Sequence, residues 1–193
     1  MNNLVFASAN NNKVTEVFRK LGGKFPLQGL TDIGCADEIP ETSPTLEGNA
    51  RQKARFIFEK YHVDCFADDT GLEVLELNNH PGVMSARYAG DQRNADDNIK
   101  LLLSNLEGYE NRMARFRTVI CLILQKQEYF FEGVVEGRIL EAPRGKEGFG
   151  YDSIFMPDGE LRTFAEMTMD EKNALSHRGR AIEKLEAFLS AWS

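Results

Sequence analysis

The amino-acid sequence predicts an α/β fold with a mixed sheet, and three observations lead to that prediction. In the first half of the chain, short apolar runs alternate with segments of helical periodicity. The middle carries two long β-rich runs in succession, which favours an antiparallel pair. The length of 193 residues and the hydrophobic content of 42% suit one globular domain spanning residues 1–193.

The predicted elements begin with a buried strand over the apolar run 4–7. The polar turn 8–12 leads into a helix over about 13–21, which a glycine pair ends. The stretch 29–44 is rich in Pro, Thr, Ser and acidic residues, so we expect mainly an ordered loop there.

A second helix is predicted from Thr45, whose hydroxyl is suited to cap the first turn. The apolar run 65–67 predicts a short strand that leads directly into Asp68-Asp69-Thr70-Gly71, and a third helix is expected over about Asn94–Leu106. The apolar stripe of the second helix consists of Leu46, Ala50, Ala54, Ile57 and Tyr61.

The second half predicts a hairpin of Met113–Leu124 and Tyr129–Leu140, joined by the polar residues 125–128 and long enough to project as a lobe. A further strand is predicted over Tyr151–Met156. Thr168-x-x-Glu171 is a capping-box pattern that marks a helix start. The stripe of the final helix consists of Ile182, Leu185, Phe188, Leu189 and Trp192.

Charge and cysteine content bound the partners and the compartment. The formal net charge of −7 gives no basic footprint, so we expect no nucleic-acid polymer as partner. Cys35, Cys65 and Cys121 are widely spaced, which predicts free thiols rather than disulfides or a zinc site. The strand-like run at Leu4 leaves no room for a signal peptide, and no apolar stretch reaches membrane-spanning length. We therefore expect a cytoplasmic protein with no membrane partner.

The turn Ser8-Ala9-Asn10-Asn11-Asn12-Lys13, between a predicted strand and a predicted helix, is a candidate phosphate site. A helix N-terminus offers N–H groups and the positive end of the helix dipole to an anion. Side-chain donors and the charge of Lys13 add to this, although the glycine spacing of a Walker A loop is absent. A capped turn without a ligand is the alternative explanation.

Asp68 and Asp69, with Glu38 and Glu41 in the preceding loop, form a candidate metal and general-base site. Carboxylates at the end of a strand suit Mg²⁺, which takes one or two of them together with waters and phosphate oxygens. A carboxylate there can also orient or deprotonate an attacking water. An Asp-rich turn that caps the strand is the alternative explanation.

Two later segments are suited to a nucleobase. Phe149, flanked by glycines in the segment 145–152, can stack on a planar base. Lys172, His177 and Arg178 supply hydrogen-bond donors, which favour a 6-oxo purine over adenine because the adenine 6-amino group is itself a donor. A hairpin loop and a solvated helix face are the alternatives. Together the four segments supply what a nucleoside triphosphate hydrolase needs.

The same residues carry a resemblance to a known family. The chain resembles the inosine triphosphate pyrophosphatases, also called XTP/dITP diphosphatases, because the motifs occur in family order over nearly the whole chain. Thr70 stands where Ser is frequent, Ser8 where Thr is frequent, and Ser153 where Pro often occurs. The matching motifs are Ser8-x-Asn10-x-x-Lys13, Glu41, Asp68-Asp69-Thr70-Gly71-Leu72, Pro81-Gly82, Ser85-Ala86-Arg87-Tyr88, Phe149-Gly150-Tyr151-Asp152 and Ser176-His177-Arg178-Gly179.

The resemblance implies an elongated two-lobed α/β fold, with a central mixed sheet flanked by helices and a nucleotide cleft between the lobes. It also implies a homodimer, a Mg²⁺ requirement and hydrolysis of ITP, dITP and XTP to the monophosphate and pyrophosphate. Glu41 and Asp69 would hold the metal, with Glu38 as the alternative to Glu41, and Asp69 would also take the proton of the attacking water. The implied substrate contacts are Ser8, Ala9, Asn10, Asn11, Asn12 and Lys13 for the phosphates, Thr70, and, around base and sugar, Phe149, Gly150, Tyr151, Asp152, Lys172, His177 and Arg178.

Two other functions remain open at this point. A pyrophosphatase of the related Maf type would act on other nucleotides, and Ser176-His177-Arg178 argues against it. A nucleotide-binding regulator without turnover is the second alternative. Asp68, Asp69 and Lys13 weigh against a regulator, because a protein that only binds a nucleotide needs no base beside a metal.

Overall fold

The computed structural model describes residues 3–192 and confirms an α/β fold with a mixed sheet. The strands are β1 (Leu4–Phe6), β2 (Leu27–Gln28), β3 (Cys65–Val74), β4 (His80–Gly82), β5 (Met113–Leu124), β6 (Gln127–Ile139) and β7 (Phe155–Pro157). The helices are α1 (Asn11–Leu21), α2 (Leu46–Tyr61), α3 (Ala95–Asn105), α4 (Met169–Leu175) and α5 (His177–Trp192).

The sheet joins parallel and antiparallel pairs. Its strand order is β2-β1-β3-β5-β6-β7, and β4 pairs with β3 outside this path. β1 runs parallel to both β2 and β3, whereas β4 is antiparallel to β3 and β7 is antiparallel to β6. The alternation of strands and helices in the first half of the chain produces the parallel part, as the sequence predicted.

The chain divides into two compact units. Within the described residues, unit 1 comprises 3–69, 118–133 and 178–192, and unit 2 comprises Thr70–Arg117 and Val134–His177. β3, β5 and β6 each contribute residues to both units. The single domain over residues 1–193 stays a prediction.

Each unit has its own apolar core. In unit 1, Phe6 stacks on Phe66 with ring centroids 4.8 Å apart, and the predicted stripe of α5 contributes Ile182, Leu185 and Leu189. In unit 2, the rings of Phe116, Phe155 and Phe164 pack together with the buried face of α3. The helical periodicity read from the sequence therefore identified faces that are buried, except for Trp192 at the end of the α5 stripe, which is exposed.

Several predicted boundaries are confirmed. The Thr45 side chain caps α2, and Thr168 with Glu171 forms the predicted capping box at α4. β5 has the predicted bounds, and β6 follows after the two-residue turn Gln125-Lys126, in which both residues have positive φ. Such a turn matches the twist of a hairpin. Within residues 3–192, no helix is both long enough and apolar enough to cross a membrane.

Three boundaries are wrong in the prediction. α1 begins at Asn11 because the Asn10 side chain accepts from the N–H groups of Asn12 and Lys13 and so caps the helix earlier. The strand predicted over 151–156 is instead a run of turns followed by the short β7. β3 does not end before the aspartates but continues through them to Val74, since pairing with β4 extends it.

Candidate active site

The two aspartates in the middle of β3 face different surroundings. Side chains alternate between the two faces of a strand, so neighbours in sequence point in opposite directions. Phe66 packs on Phe6, whereas the Cys65 thiol donates to the carbonyl oxygen of Ala54 in α2 at 3.1 Å. Asp68 therefore shares the face of Phe66, and the next residue, Asp69, shares the face of Cys65.

Asp68 is held by two cations. Its Oδ2 atom lies 3.1 Å from Lys13 Nζ and 3.1 Å from Arg178 Nε, and the Arg178 guanidinium also donates to Glu16. Both Asp68 and Arg178 are only 1% exposed. Burial alone would raise the pKa of Asp68, but the charges of Lys13 and Arg178 outweigh it and hold this pKa well below its ordinary value. Asp68 is therefore a permanent anion at neutral pH.

Helix α1 supplies Lys13 and Glu16 to this group from one face. Residues three apart in a helix are neighbours on its surface, which is why the first reaches Asp68 and the second reaches Arg178. Burial lowers the pKa of Lys13, and the attraction of Asp68 opposes that effect. The predicted phosphate turn thus ends in a cation that is already paired with the aspartate of β3.

Asp69 has a different set of partners on its own face. Asn49 Nδ2 donates to Asp69 Oδ2 at 3.1 Å, and Lys53 Nζ lies 3.5 Å from Asp69 Oδ1. Lys53 also donates to Glu41 at 2.5 Å. Burial raises the pKa of Asp69 above its ordinary value, against the attraction of Lys53. Burial lowers the pKa of Lys53, but Asp69 and Glu41 outweigh it and raise that pKa, so the ammonium stays charged.

The opposite pKa shifts of the two aspartates are what an acid–base site requires. Asp68 is fixed as an anion, whereas Asp69 has the higher proton affinity. Two adjacent carboxylates with pKa values moved apart by their surroundings are typical of acid–base sites, which makes the group with the raised pKa the candidate for proton exchange. The arrangement can therefore deprotonate a water at Asp69 beside a cluster of positive charge.

Glu41 and Asp69 also fit a hard divalent cation. Both carboxylates approach the same Lys53 ammonium, whereas Glu38 is exposed in the loop. Mg²⁺ takes one or two carboxylates and completes its shell with water and phosphate oxygens, which this pair allows. In the described part of the chain, no three His, Cys, Asp or Glu side chains are grouped to hold a metal, so the candidate is a pair.

Sequence reasoning missed Glu16, Asn49 and Lys53, all of which are buried. Asn49 and Lys53 occupy i and i+4 of α2, next to the apolar stripe that the sequence did identify. A polar pair at helical spacing on the border of a buried face was the available signal. Glu16 gave no comparable signal, because a lone glutamate in an amphipathic helix is usually solvated.

In unit 2, Phe149, Asp152 and Lys172 form a compact group. Asp152 Oδ2 accepts from Lys172 Nζ at 2.6 Å and from the Phe149 backbone N–H at 2.8 Å. The Lys172 ammonium lies 4.6 Å from the centre of the Phe149 ring. Gly148 has a φ of +74°, and a side chain there would collide with Asp152. The glycine thus lets the loop close over the carboxylate and fixes the Phe149 ring beside a cation.

Tyr151 and His177 are both buried within unit 2. The Tyr151 hydroxyl donates to the Ser85 carbonyl oxygen at 2.9 Å, and burial raises its pKa well above the ordinary value. The His177 imidazole stacks on Phe116 with centroids 4.5 Å apart and planes 18° apart. Stacking on Phe116 fixes the orientation of the imidazole plane, and with it the plane in which His177 can form hydrogen bonds.

The structure groups the predicted site residues in two sets. Unit 1 holds residues 8–13, Glu41, Asp69 and Arg178, whereas unit 2 holds Thr70, residues 149–152, Lys172 and His177. The sequence grouped Arg178 with Lys172 and His177, but its guanidinium is directed to Asp68 and Glu16. His177 and Arg178 open α5, where consecutive side chains leave about 100° apart, so the two separate.

The chain is similar to known proteins over nearly its whole length. A profile of the Ham1 family matches residues 4–188. The chain is 50% identical to a dITP/XTP pyrophosphatase of Flavobacterium johnsoniae, over 97% of this chain and 98% of that protein. It is also 50% identical to a dITP/XTP pyrophosphatase of Porphyromonas gingivalis, over 98% of each.

Solved structures show the same similarity. The fold matches a HAM1 protein from Coxiella burnetii with a TM-score of 0.91 and 38% identity, covering 99% of this chain and 100% of that one. It matches the Ham1 protein of Staphylococcus aureus with a TM-score of 0.90 and 34% identity, at the same coverage.

Proposed function

This chain belongs to the Ham1 family, and from that premise we propose that it hydrolyses non-canonical purine nucleoside triphosphates such as ITP, dITP and XTP to the monophosphate and pyrophosphate. The observation that carries the proposal is the Asp68-Asp69 pair, in which one carboxylate anchors Lys13 and Arg178 and the other has a raised pKa. In such a pair, one carboxylate holds the cations that neutralise phosphate charge and the other exchanges the proton.

The reaction assigns separate tasks to the two aspartates. Asp69 accepts a proton from the attacking water, whose oxygen bonds to the α-phosphorus. The bond from that phosphorus to the bridging oxygen breaks, pyrophosphate leaves with the bonding electron pair, and Asp69 returns the proton to solvent. Lys13 and the N-terminus of α1 offset the phosphate charge, while Asp68 keeps Lys13 in place. Positioning and charge neutralisation are the main sources of rate in such transfers.

Glu41 and Asp69 would hold Mg²⁺ in this proposal. The shared contact with Lys53 supports Glu41 rather than the exposed Glu38 as the second carboxylate. When bound, the ion neutralises negative charge on the triphosphate. Lys53 contacts both carboxylates and so offsets part of their negative charge.

Unit 2 would recognise the base. Phe149 offers a ring for stacking, and Lys172 is a donor held beside it by Asp152. A site of donors favours an oxo group at position 6 of the purine over the amino group of adenine. Arg178 remains a candidate reader of that oxygen, although its contacts with Asp68 and Glu16 support a role in holding the carboxylate. Homodimerisation and a cytoplasmic location stay predictions.

The test is pyrophosphate release from ITP and from dTTP, each with and without Mg²⁺. We expect release from ITP that depends on Mg²⁺, with dTTP turned over far more slowly. Preferential release from dTTP would favour the Maf type, and tight ITP binding without release would favour a regulator. In Asp69→Asn we expect turnover to fall by roughly 10²-fold or more with the fold retained. Near-parent turnover in that variant would exclude Asp69 as the base.

A further inference from the structure

Asn49 links the loop that carries Glu41 to the side chain of Asp69. Its side chain is 3% exposed and makes two hydrogen bonds of opposite polarity. The Ser43 backbone N–H donates to Asn49 Oδ1 at 2.8 Å, and Asn49 Nδ2 donates to Asp69 Oδ2 at 3.1 Å. Ser43 lies two residues after Glu41, so one amide joins Asp69 to the loop that carries Glu41.

The orientation of this amide is determined by chemistry. A backbone N–H can only donate, so the oxygen of the Asn49 amide must face Ser43 and its NH₂ group must face Asp69. A carboxylate accepts such a bond without losing its charge. Asn49 thereby fixes the rotation of the Asp69 carboxylate and occupies one of its oxygens, and the other oxygen, Oδ1, faces Lys53.

A lysine or arginine at position 49 would hold Asp69 as well but would lower its affinity for a proton and for a metal ion. A neutral donor orients the carboxylate and leaves its negative charge intact. We propose that Asn49 is a positioning residue for the hydrolysis, which sets the orientation of the Asp69 carboxylate relative to the Glu41 loop. This inference rests on the proposed function of Asp69 as the base.

The variant Asn49→Asp removes the hydrogen bond that position 49 donates to Asp69 and adds a negative charge beside it. Aspartate has almost the same shape, and its ionised carboxylate still accepts from the Ser43 N–H but cannot donate to Asp69. We expect kcat for ITP to fall about tenfold or more with KM changed less than about threefold, because the substrate still binds to a misoriented base.

Gln52 provides a matched control on the same helix. The Thr42 backbone N–H donates to Gln52 Oε1 at 2.9 Å, and Gln52 Nε2 donates to Thr42 Oγ1 at 3.0 Å, so this residue also anchors the loop. We expect Gln52→Ala to keep kcat within about threefold of the parent, because the Gln52 amide bonds to Thr42 and not to a candidate ligand. Equal losses in both variants would assign the effect to loop anchoring and overturn the positioning role.

The double variant Asn49→Asp/Asp69→Asn tests whether Asn49 acts through Asp69. It exchanges the two groups, so Asn at position 69 can donate to Asp at position 49. We expect its turnover to equal that of Asp69→Asn within about threefold. A further loss of the full tenfold would show that Asn49 acts independently and would overturn the inference.

A direct binding measurement separates positioning from loss of the metal. Mn²⁺ titration without nucleotide is expected to give an affinity for Asn49→Asp at least equal to that of the parent, because the variant adds a negative charge. Weaker Mn²⁺ binding in step with the slower rate would overturn the positioning role. If the parent enzyme releases no pyrophosphate from ITP, the proposed function fails. If Asp69→Asn is slow while Asn49→Asp is not, only the inference about Asn49 fails.

Discussion

Replacing Asp68 by asparagine should destabilise the protein more than any comparable change at its surface. Asp68 Oδ2 is shared by Lys13 Nζ and Arg178 Nε at 3.1 Å each, in a place where the aspartate is 1% exposed. The substitution keeps the shape and one acceptor but removes the charge that separates two cations. Glu16 remains as the partner of Arg178.

The magnitude follows from the burial of the group. Removing one partner of a buried ion pair costs about 3–5 kcal/mol, because the remaining charge is left in a medium that solvates it poorly. Since asparagine still accepts a hydrogen bond and Glu16 still neutralises Arg178, we expect the lower end, about 3 kcal/mol. For a chain of this size that corresponds to a fall in Tm of roughly 6–12 °C.

Glu128 is a matched control in the same unit. It also bridges two cations, Arg51 Nε at 3.1 Å and Arg55 Nε at 2.5 Å, but all three side chains are accessible to solvent. Solvent screens such pairs, so Glu128→Gln should cost less than about 1 kcal/mol. The assay is urea unfolding of the parent and both variants, followed by circular dichroism at neutral pH.

The pH dependence of the unfolding free energy is a separate test of the stabilisation that the Asp68 carboxylate contributes. The positive charges of Lys13 and Arg178 lower the pKa of Asp68 in the folded state, so its stabilisation is complete above the unfolded pKa. It is lost as the pH falls through the lower folded value. The difference in unfolding free energy between parent and Asp68→Asn should thus be constant above about pH 5 and shrink below about pH 4. Equal stability of Asp68→Asn and Glu128→Gln, or a difference that grows in acid, would refute the reasoning.

Two further predictions concern the chemistry. Because burial raises the pKa of Asp69 and only the carboxylate accepts a proton, kcat/KM should decline in acid at a higher pH than an ordinary aspartate pKa would give, and a profile that stays flat through the ordinary aspartate range would contradict this role. Arg178→Ala should lower kcat/KM for ITP and ATP by the same factor if the guanidinium only holds Asp68 and Glu16, whereas a selective loss with ITP would show that Arg178 also reads the base.

Much of the fold could be predicted because it depends on local patterns. These patterns involve residues that are close together in the sequence. They are the caps at Thr45 and Thr168, the bounds of β5 and the buried stripe of α5. The end of β3 could not be predicted in this way. Asp68 and Asp69 are poor strand formers, and pairing on either side of them keeps the segment extended, with β1 at Cys65 and Phe66 and with β4 from Leu72 to Val74.

The sequence allowed us to choose several residues of the candidate site, but it did not show which side chains contact each other. Lys13, Glu41 and Asp69 could be chosen because carboxylates and a lysine beside predicted strand and helix ends suit phosphate and metal. Asn49 and Lys53 were not predicted as site residues from the sequence, because only the packing of α2 beside β3 brings their side chains to Asp69. Contacts between residues 12 to 20 positions apart carry no local signature in the sequence.

The sequence by itself determined the α/β class, the helix caps, the faces to be buried and the inventory of charged groups. Only the tertiary structure decided how those charges are paired. Strand alternation turns Asp68 toward Lys13 and Arg178 and Asp69 toward α2, so two adjacent and chemically identical side chains acquire opposite pKa shifts. The physical reason is that a proton affinity depends on burial and on charges a few ångströms away, and those neighbours come from distant parts of the chain.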